Sequence, residues 1–247
     1  MDKIIFYFQK IKVSVLDLFF PIHCLGCQAE GRWLCETCLK KIKLRDQQFC
    51  PHCEKIITPD GRSCFACKNK SPLTGLLVAT SYQEPLASKA VHLFKYRFLE
   101  TLAEPLSQLM LKTLQTFESP LPDLVLPIPL HPRRLRWRGF NQSLLLAKNL
   151  AKNLLPGIDL VLADNLLIRK RYTLPQMSLK NHTQRHQNVC EAFKVTDRTK
   201  IKARRILLVD DITTTGSTIF ECARVLKEAG AKEIWAVVIA KRDYGKK

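Results

Sequence analysis

The chain has 247 residues, 46% of them hydrophobic, with 40 Lys and Arg against 22 Asp and Glu, which gives a formal net charge of +18. This length holds one medium-sized domain and a small one. The charge favours a polyanionic ligand (nucleic acid, a phosphorylated molecule or an anionic membrane), although a basic surface also serves solubility alone. No run reaches the roughly 20 apolar residues that span a bilayer, and no secretory signal is recognisable. We therefore exclude an integral membrane protein and expect a cytoplasmic one, associated with membrane only through partners.

Residues 1–20 predict an amphipathic helix, because Ile4, Phe8 and Ile11 follow the helical repeat. Pro21 ends this helix. Its apolar face either packs on the body of the protein or lies on a membrane surface, and pattern and charge do not separate the two interpretations.

Residues 21–70 are dense in cysteine and poor in apolar periodicity, so something other than a hydrophobic core must hold them together. Eight of the ten cysteines occur here, as four Cys-x-x-Cys pairs. In a reducing cytoplasm such pairs favour two structural Zn²⁺ ions, each held by four thiolates with no open position. Sequential and interleaved pairing of the knuckles are both compatible with this chemistry. His23 and His52 lie beside ligands and are interpreted as bystanders. The predicted metal ligands are Cys24, Cys27, Cys35, Cys38, Cys50, Cys53, Cys64 and Cys67.

From residue 76 the pattern changes to that of an α/β domain, which we predict to cover residues 76–247. Gly, Pro and Ser clusters separate short apolar runs from helical repeats. The predicted strands are 76–82, 124–129 and 166–168, and the predicted helices are 86–98, 102–117 and 143–154, with Ser143 as an N-cap.

The clearest unit is at the C-terminal end. An apolar strand at 206–209 is followed by two acids and a small polar loop, then by a helix at 219–230 and a second apolar strand at 234–240. This βαβ order predicts a parallel sheet with helices outside. Gly230 suits the position just past the helix end.

The polar loop of this unit predicts a phosphate site. A loop between the end of a strand and the N-terminus of a helix offers backbone N–H groups and hydroxyls that can surround an anion. Asp210 and Asp211 come directly before the loop. A phosphate would repel them, so we expect them to accept hydrogen bonds from ribose hydroxyls or to coordinate Mg²⁺. An ordinary capped turn needs one such polar residue rather than a run of them, and neither a Walker A loop nor a dinucleotide-binding motif occurs. The predicted phosphate-binding residues are Thr213, Thr214, Thr215, Gly216, Ser217 and Thr218.

A second anion site is predicted between the strand at 124–129 and the helix at 143–154. Several arginines occur close together there. One Arg guanidinium can donate two hydrogen bonds to two oxygens of a phosphate, which suits a diphosphate or a nucleic-acid backbone. The alternative is a solvated basic loop that binds nothing specific. The predicted residues are Arg133, Arg134, Arg136, Arg138, Asn141 and Gln142.

The four apolar residues, two acids and Thr/Gly/Ser-rich run resemble the signature of type I phosphoribosyltransferases. The run P-x-P-x-x-x-x-R-x-x-x-R-G-F-N-Q from Pro127 to Gln142 is similar to the ComF family of competence-associated proteins, as are Phe94-Lys95-Tyr96 and the Cys-rich front. The resemblance spans residues 18–243. It implies a type I phosphoribosyltransferase-like parallel sheet with helices on both faces, preceded by a small zinc-ribbon domain.

The resemblance also implies roles. Asp210 and Asp211 would be catalytic residues at the ribose 2- and 3-hydroxyls, with the 5-phosphate in the loop and Mg²⁺ present when phosphoribosyl diphosphate is bound. ComF-like proteins are implicated in uptake of single-stranded DNA, so the resemblance implies single-stranded DNA and a competence helicase as partners. The alternative is an active Mg²⁺-dependent phosphoribosyltransferase on an unidentified acceptor, without a DNA role. No residues that would recognise an acceptor are identifiable.

Overall fold

The computed structural model describes residues 21–96, 99–117, 120–173 and 182–242. The helix predicted at residues 1–20 lies outside the described residues. The chain divides into two compact units, one ending at Ile42 and one beginning at Lys43. The last two Cys-x-x-Cys pairs therefore belong to the same compact unit as the α/β domain, while the domain boundary near residue 70 stays a prediction.

The described part of the smaller unit, residues 21–42, is a Cys-rich loop followed by a short helix, α1 (Glu36–Lys41). The N–H of Cys24 donates to the carbonyl of Ala29 at 2.8 Å, which closes the turn that carries the first Cys pair. Cys35 is the N-cap of α1, and its sulfur accepts from the N–H of Cys38. Within residues 21–42, local turns of this kind shape the chain.

The larger unit begins with a second Cys-rich segment, whose strands β1 (Gln48–Phe49) and β2 (Ile57–Thr58) pair antiparallel. Gln48 attaches this segment to strand β3 (Gly75–Ser81). Its side-chain Nε2 donates to the carbonyl of Val78 at 3.1 Å, and its Oε1 accepts from the N–H of Val78 at 3.0 Å. Because β3 is an edge strand, this amide satisfies backbone groups that the sheet leaves unpaired.

The central sheet has four parallel strands in the order β3-β8-β7-β4. Their bounds are β4 (Leu124–Pro127), β7 (Arg205–Thr213) and β8 (Glu233–Lys241) beside β3. The parallel sheet predicted from the βαβ pattern is confirmed. All four carboxyl ends lie at one edge of the sheet, where parallel α/β folds bind their ligands.

Helices cover both faces of this sheet. The helices that pack on it are α3 (Ala103–Thr116), α5 (Gln142–Asn153) and α8 (Ser217–Glu228). The other helices of the larger unit are α2 (Pro85–Tyr96), α4 (Pro132–Arg138), α6 (His182–Val189) and α7 (Arg198–Ile201), with a 3₁₀ turn at Glu100–Leu102. Ile206 and Leu208 of β7 share a buried cluster with Ile219 and Leu226 of α8. The alternate residues of β7 are equally buried on the opposite face, because successive side chains of a strand point to opposite sides.

A small two-stranded antiparallel sheet lies on the α8 side of the central sheet. It consists of β5 (Leu167–Arg169) and β6 (Phe193–Val195), and it is called here the β5 hairpin although 23 residues (170–192) connect its strands. Leu167 and Phe193 are buried in the same cluster as α8. The hairpin therefore belongs to the core, and it brings Arg169 to the edge of the sheet.

Three local expectations were wrong. The strand predicted to end at Val209 continues to Thr213, so both acids lie within β7. The N-cap of α5 is Asn141, whose side chain accepts from the N–H of Ser143 at 3.1 Å. The arginine-rich stretch is not a plain loop, since α4 occupies most of it. Its N-cap His131 and Pro132 at the first position are a common helix start, which the crowding of charges obscured.

Candidate functional site

The carboxyl end of the sheet opens into a cavity of about 520 Å³. Its walls come from the ends of β4 and β7, the starts of α5 and α8, helices α2 and α4, and the β5 hairpin. It contains most of the residues predicted from sequence and several that were not predicted. The predicted residues in its walls are Arg133, Arg134, Arg138, Gln142, Asp210, Asp211, Thr213, Thr214, Gly216, Ser217 and Thr218.

The predicted phosphate loop lies between β7 and α8. Gly216 is the N-cap of α8 with a φ of +74°, a conformation that favours glycine. A glycine has no side chain to offer, so the N-cap residue itself makes no side-chain hydrogen bond to the first turn of α8. Gly216, Ser217 and Thr218 line the cavity, so a phosphate there could accept from the N–H groups of this helix N-terminus. Thr215 and Ser217 are hydrogen-bonded to each other through their hydroxyls at 2.7 Å.

Asp210 lies at the cavity floor. Its Oδ1 accepts from the hydroxyl of Ser143 at 2.8 Å and from the N–H of Asp211 at 3.0 Å. Burial and the charge of Asp211 raise the pKa of Asp210 to about 7, although Lys95 and Ser143 oppose the shift. Asp210 therefore exchanges a proton near neutral pH, and its ionised form is an acceptor for sugar hydroxyls.

Asp211 is held differently from its neighbour. Its Oδ1 accepts from the N–H of Ile212 at 2.6 Å and forms an ion pair with Lys95 Nζ at 2.9 Å. The two side chains are 7% and 14% exposed. The resemblance singled out residues 94–96 without giving them a function. Phe94 packs on the ring of Phe140, while Lys95 neutralises one acid of the pair.

Besides Arg133, three arginines with partly or fully buried side chains line the cavity: Arg134, Arg138 and Arg169. Among the described residues none of them has a carboxylate partner: Arg134 donates to the carbonyl of Thr173, Arg138 to Gln142 Oε1 and Arg169 to the hydroxyl of Thr173. Burial, together with the charge of Arg134, lowers the pKa of Arg169 to about 10. Burial, together with the charge of Arg138, lowers the pKa of Arg134. Such a cluster is stabilised by an anion with several oxygens.

Buried donors in the cavity wall lack partners. Arg138 Nε, Gln142 Nε2 and Arg169 Nε are buried and make no hydrogen bond within the described part of the protein. Gln142 is only 1% exposed and Arg169 only 8%. A buried donor without an acceptor is costly, so these groups fit an acceptor-rich ligand that enters the cavity.

Sequence reasoning missed Arg169, because it lies on a short strand rather than in an arginine-rich run. Its only sequence signal was a charge directly after the predicted strand at 166–168. In the structure its guanidinium lies 5.1 Å from the ring centre of Phe193. Tyr172, also not predicted, lines the cavity and has Arg133 and Arg134 at 5.1 and 5.8 Å from its ring centre.

Three predicted residues lie outside the cavity wall. Asn141 caps α5 and donates from Nδ2 to the carbonyl of Ile128 at 3.1 Å, so its contacts are structural. Thr215 contacts Ser217 beside the cavity. Arg136 is on the exposed side of α4, where it is available to a ligand larger than a sugar phosphate.

The cysteines form two groups, and the structure decides their pairing in favour of the sequential one. Within each group the sulfurs lie within 4.8 Å of one another, and Cys27 Sγ and Cys35 Sγ are 3.7 Å apart. Four thiolates at this spacing fit one tetrahedral zinc ion with Zn–S bonds of about 2.3 Å. The first group is Cys24, Cys27, Cys35 and Cys38, and the second is Cys50, Cys53, Cys64 and Cys67.

The pKa values of some cysteines in these groups are also shifted by their surroundings. The N–H groups of Lys55 and Ile56 lower the pKa of Cys53 to about 6, while burial and the neighbouring thiols raise the pKa of Cys67 to about 12. Four adjacent thiolates repel one another unless a cation balances them. Elsewhere in the described ranges, no three His, Cys, Asp or Glu side chains converge in this way.

In the part of the chain that the structure describes, we find no helix with the length and apolar character of a membrane span. Residues 141–247 match the profile of the phosphoribosyl transferase domain, and residues 15–68 match that of the double zinc ribbon domain. With its parallel sheet, the chain is thus a phosphoribosyltransferase-type α/β protein with a double zinc ribbon in front.

Named relatives cover nearly the whole chain. Competence protein F of Haemophilus influenzae is 31% identical over 226 residues, which are 87% of this chain and 95% of that protein. DNA utilization protein YhgH of Escherichia coli O157:H7 is 32% identical over 230 residues, 89% of this chain and 98% of that protein. Competence protein ComFC of Bacillus subtilis is 27% identical over 210 residues, 80% of this chain and 79% of that protein. The chain belongs to the ComF family, as its motifs predicted.

Proposed function

We propose that the cavity binds ribose 5-phosphate or phosphoribosyl diphosphate. In this proposal the 5-phosphate lies at residues 213–218, the ribose hydroxyls at Asp210 and Asp211, and the diphosphate at the arginines. The observation that carries the proposal is that one cavity is lined by the glycine-capped N-terminus of α8, by two adjacent acids and by arginines without carboxylate partners among the described residues. Such a cavity is complementary to a sugar with an anion at each end.

Asp211 and Asp210 would act differently on this ligand. Asp211 is already paired with Lys95, so it brings little net charge to the pocket. Asp210 has the pKa of about 7 and is the acid that a ribose hydroxyl would meet as an acceptor. In phosphoribosyl transfer the bond between the ribose C1 and diphosphate breaks, and the diphosphate leaves with the electron pair. Arg134, Arg138 and Arg169 would then stabilise the departing charge, with Mg²⁺ supplying further neutralisation.

We further propose that the protein acts in DNA uptake and binds single-stranded DNA, with a competence helicase as a partner. Two of its relatives are named competence proteins and one a DNA utilization protein. On α4, Trp137 is 62% exposed beside arginines, and aromatic rings among basic residues are typical of single-strand binding surfaces. A second cleft, which shares Thr214 with the cavity, adds Arg45, Lys55 and Arg242. In this proposal the protein is located in the cytoplasm, and any association with the membrane arises through partner proteins.

The alternative function is an active Mg²⁺-dependent phosphoribosyltransferase on an unidentified acceptor, without a DNA role. The same sugar-phosphate cavity supports both functions, because both ligands present a pentose and a phosphate. DNA binding requires the exposed face of α4, whereas transfer to a small acceptor does not.

Calorimetric titration tests the sugar ligand. Wild type should bind ribose 5-phosphate, and phosphoribosyl diphosphate with Mg²⁺ more tightly. The double variant Asp210→Ala/Asp211→Ala should lose at least about 1.4 kcal/mol of binding free energy, a tenfold loss in affinity, while still unfolding in one cooperative thermal transition. Wild type that binds neither ligand would contradict the proposal.

Oligothymidylate titrations test the DNA role. Affinity should fall steeply from low to moderate salt, because phosphate contacts release counterions. Trp137→Ala should cost about 1–3 kcal/mol if the ring stacks on a base, whereas the Asp210/Asp211 double variant should lose far less DNA affinity than sugar affinity. Tight binding of phosphoribosyl diphosphate together with no binding of the oligonucleotide would leave the enzyme alternative.

A further inference from the structure

The turns at Cys24–Cys27 and Cys50–Cys53 open the two Cys groups, and we call them the first and the second knuckle. The second knuckle contacts α8 beside the phosphate loop. His52, between Cys50 and Cys53, meets Phe220 edge to face, with the ring centres 6.1 Å apart. Phe220 is in the first turn of α8, and its N–H donates to the carbonyl of Gly216 at 2.8 Å. His52 therefore touches a residue that is bonded to the N-cap of the phosphate-binding helix.

The ring of Phe220 also limits the loop itself. A Cβ atom at Gly216 would lie 3.0 Å from both Cδ2 and Cε2 of this ring. The ring is thus in close contact with the loop backbone, and a shift of Phe220 would change the space in which Gly216 holds its positive φ. His52 packs on this ring, so it restrains the loop through Phe220.

The same turn also contacts the strand beside the loop. Glu54 Oε1 lies 2.6 Å from Lys241 Nζ, with the two side chains 46% and 11% exposed. Lys241 is aligned with Thr213 in the sheet, and the N–H of the following Arg242 donates to the carbonyl of Thr213 at 2.9 Å. Glu54 thereby fixes the end of β8 next to the first residue of the loop.

Comparison with the first knuckle shows that metal binding alone requires neither side chain. The two turns have the same backbone: the N–H of Gln28 donates to the carbonyl of Cys24 at 3.0 Å, and that of Glu54 to Cys50 at 2.9 Å. Gln28 and Glu54 also share a positive φ, 63° and 56°. Where the second knuckle has His52, the first has Gly26. His52 and Glu54 are what the second knuckle adds to a common metal-binding turn.

We propose that His52 and Glu54 are positioning residues for the phosphate loop, acting through Phe220 and Lys241. The second zinc knuckle then serves the ligand site as well as the fold. This inference rests on the proposed function only in naming a ribose 5-phosphate as the ligand of the loop. It gives a role to His52, which the sequence had presented as a bystander.

Two variants isolate these contacts without disturbing the metal. His52→Ala removes the ring contact, and Glu54→Gly removes the ion pair while placing glycine where the backbone already favours it. Gln28→Gly is the matched control, since it makes the same backbone change in the first knuckle. The measurements are calorimetric affinities for ribose 5-phosphate and for inorganic diphosphate, and the zinc content per chain.

Both variants should bind ribose 5-phosphate about threefold to tenfold more weakly, an effect of a single restraining contact on a preorganised site. Diphosphate affinity should be unchanged, because Phe220 and Lys241, which contact His52 and Glu54, belong to α8 and β8, whereas the arginines belong to α4 and β5. Zinc content should remain that of wild type, and Gln28→Gly should behave as wild type. A merely structural role would lower both affinities together, and that result would overturn the inference.

Hydrogen exchange of the amides at residues 213–218 provides a readout that needs no ligand. These amides should exchange faster in His52→Ala and Glu54→Gly than in wild type or Gln28→Gly. If the wild-type protein did not bind ribose 5-phosphate, the proposed function would fail. The hydrogen-exchange rates would then decide this inference by themselves. Exchange rates identical in all four proteins would refute it.

Discussion

Lys95 and Asp211 form an ion pair across the floor of the cavity, with Nζ and Oδ1 2.9 Å apart and side chains 14% and 7% exposed. The pair joins the end of α2 to β7. It neutralises one of two adjacent acids and opposes the rise in the pKa of the other, Asp210. The acid pair can therefore exist in a buried place, because a cation from a distant helix offsets the repulsion.

Replacing Lys95 by Met should destabilise the fold by about 3 kcal/mol, because it leaves the Asp211 carboxylate buried without its partner. Urea unfolding at neutral pH measures the change. Lys200→Met is the control: its contact with Asp197 spans 3.8 Å between exposed side chains, so its loss should cost less than about 1 kcal/mol. The double variant Lys95→Met/Asp211→Asn should recover much of the lost stability. Equal costs for the Lys95 and Lys200 variants would contradict a special role for the buried pair.

Asp210→Asn should stabilise the protein at high pH. The pKa of Asp210 in the fold is about 7, above its ordinary 3.8. The folded state thus holds a proton that the unfolded chain releases, and wild type loses stability as pH rises from about 4 to 7. The variant has no charge to bury, so it should gain roughly 1–4 kcal/mol at about pH 8. The gain should shrink as pH falls below 7, as measured by urea unfolding across this range. A gain independent of pH would contradict this origin.

Arg169→Met should separate stability from binding. The buried guanidinium has no carboxylate partner among the described residues, so an apolar side chain of similar length should raise the thermal midpoint of the free protein. The same variant should bind inorganic diphosphate at least about tenfold more weakly, a loss of about 1.4 kcal/mol. Lys170→Met, at the exposed neighbour, should change neither quantity. Unchanged diphosphate affinity in the Arg169 variant would remove this residue from the site.

Gly216→Ala should lower the stability of the protein by more than the positive φ at this position alone would. Gly216 and Gly157 have φ values of 74° and 76°, but only at Gly216 would a Cβ meet a neighbour, Phe220 at 3.0 Å. Gly157→Ala should therefore cost only the about 1–2 kcal/mol of a left-handed residue. Gly216→Ala should cost more and should abolish ribose 5-phosphate binding. Thermal unfolding and calorimetry measure both effects, and equal costs would mean that the ring yields freely.

The metal content should be two zinc ions per chain, one for each Cys group. Cys27→Ser and Cys53→Ser occupy equivalent positions in the two groups and should each remove one ion. Only Cys53→Ser should lower the unfolding midpoint of the α/β unit, because the second group belongs to that compact unit and its Gln48 completes the hydrogen bonds of the edge strand. Metal analysis and urea unfolding check this, and equal destabilisation by the two variants would contradict it.

Local sequence patterns predicted much of the fold. Apolar strands at 206–209 and 234–240 around an amphipathic helix correspond to β7, α8 and β8, because a βαβ unit forms from neighbouring residues. The same locality placed Asp210 beside the phosphate loop. Helices 182–189 and 198–201 went unpredicted, since a short helix with few apolar residues has almost no periodic signal.

By itself, then, the sequence determined the features that are read within a few residues: the parallel sheet, the Cys-x-x-Cys turns, the acids and the polar loop after β7. Only the tertiary structure decided which knuckles share a metal, that Lys95 neutralises Asp211, that Arg169 joins the arginines of α4, and that His52 lies against Phe220. The Cys pairing joins residues close in the chain, but its spacing allowed two equivalent arrangements. The other contacts join residues far apart in the chain. Such contacts arise from the packing of elements around a common core, which periodicity and motif spacing do not encode.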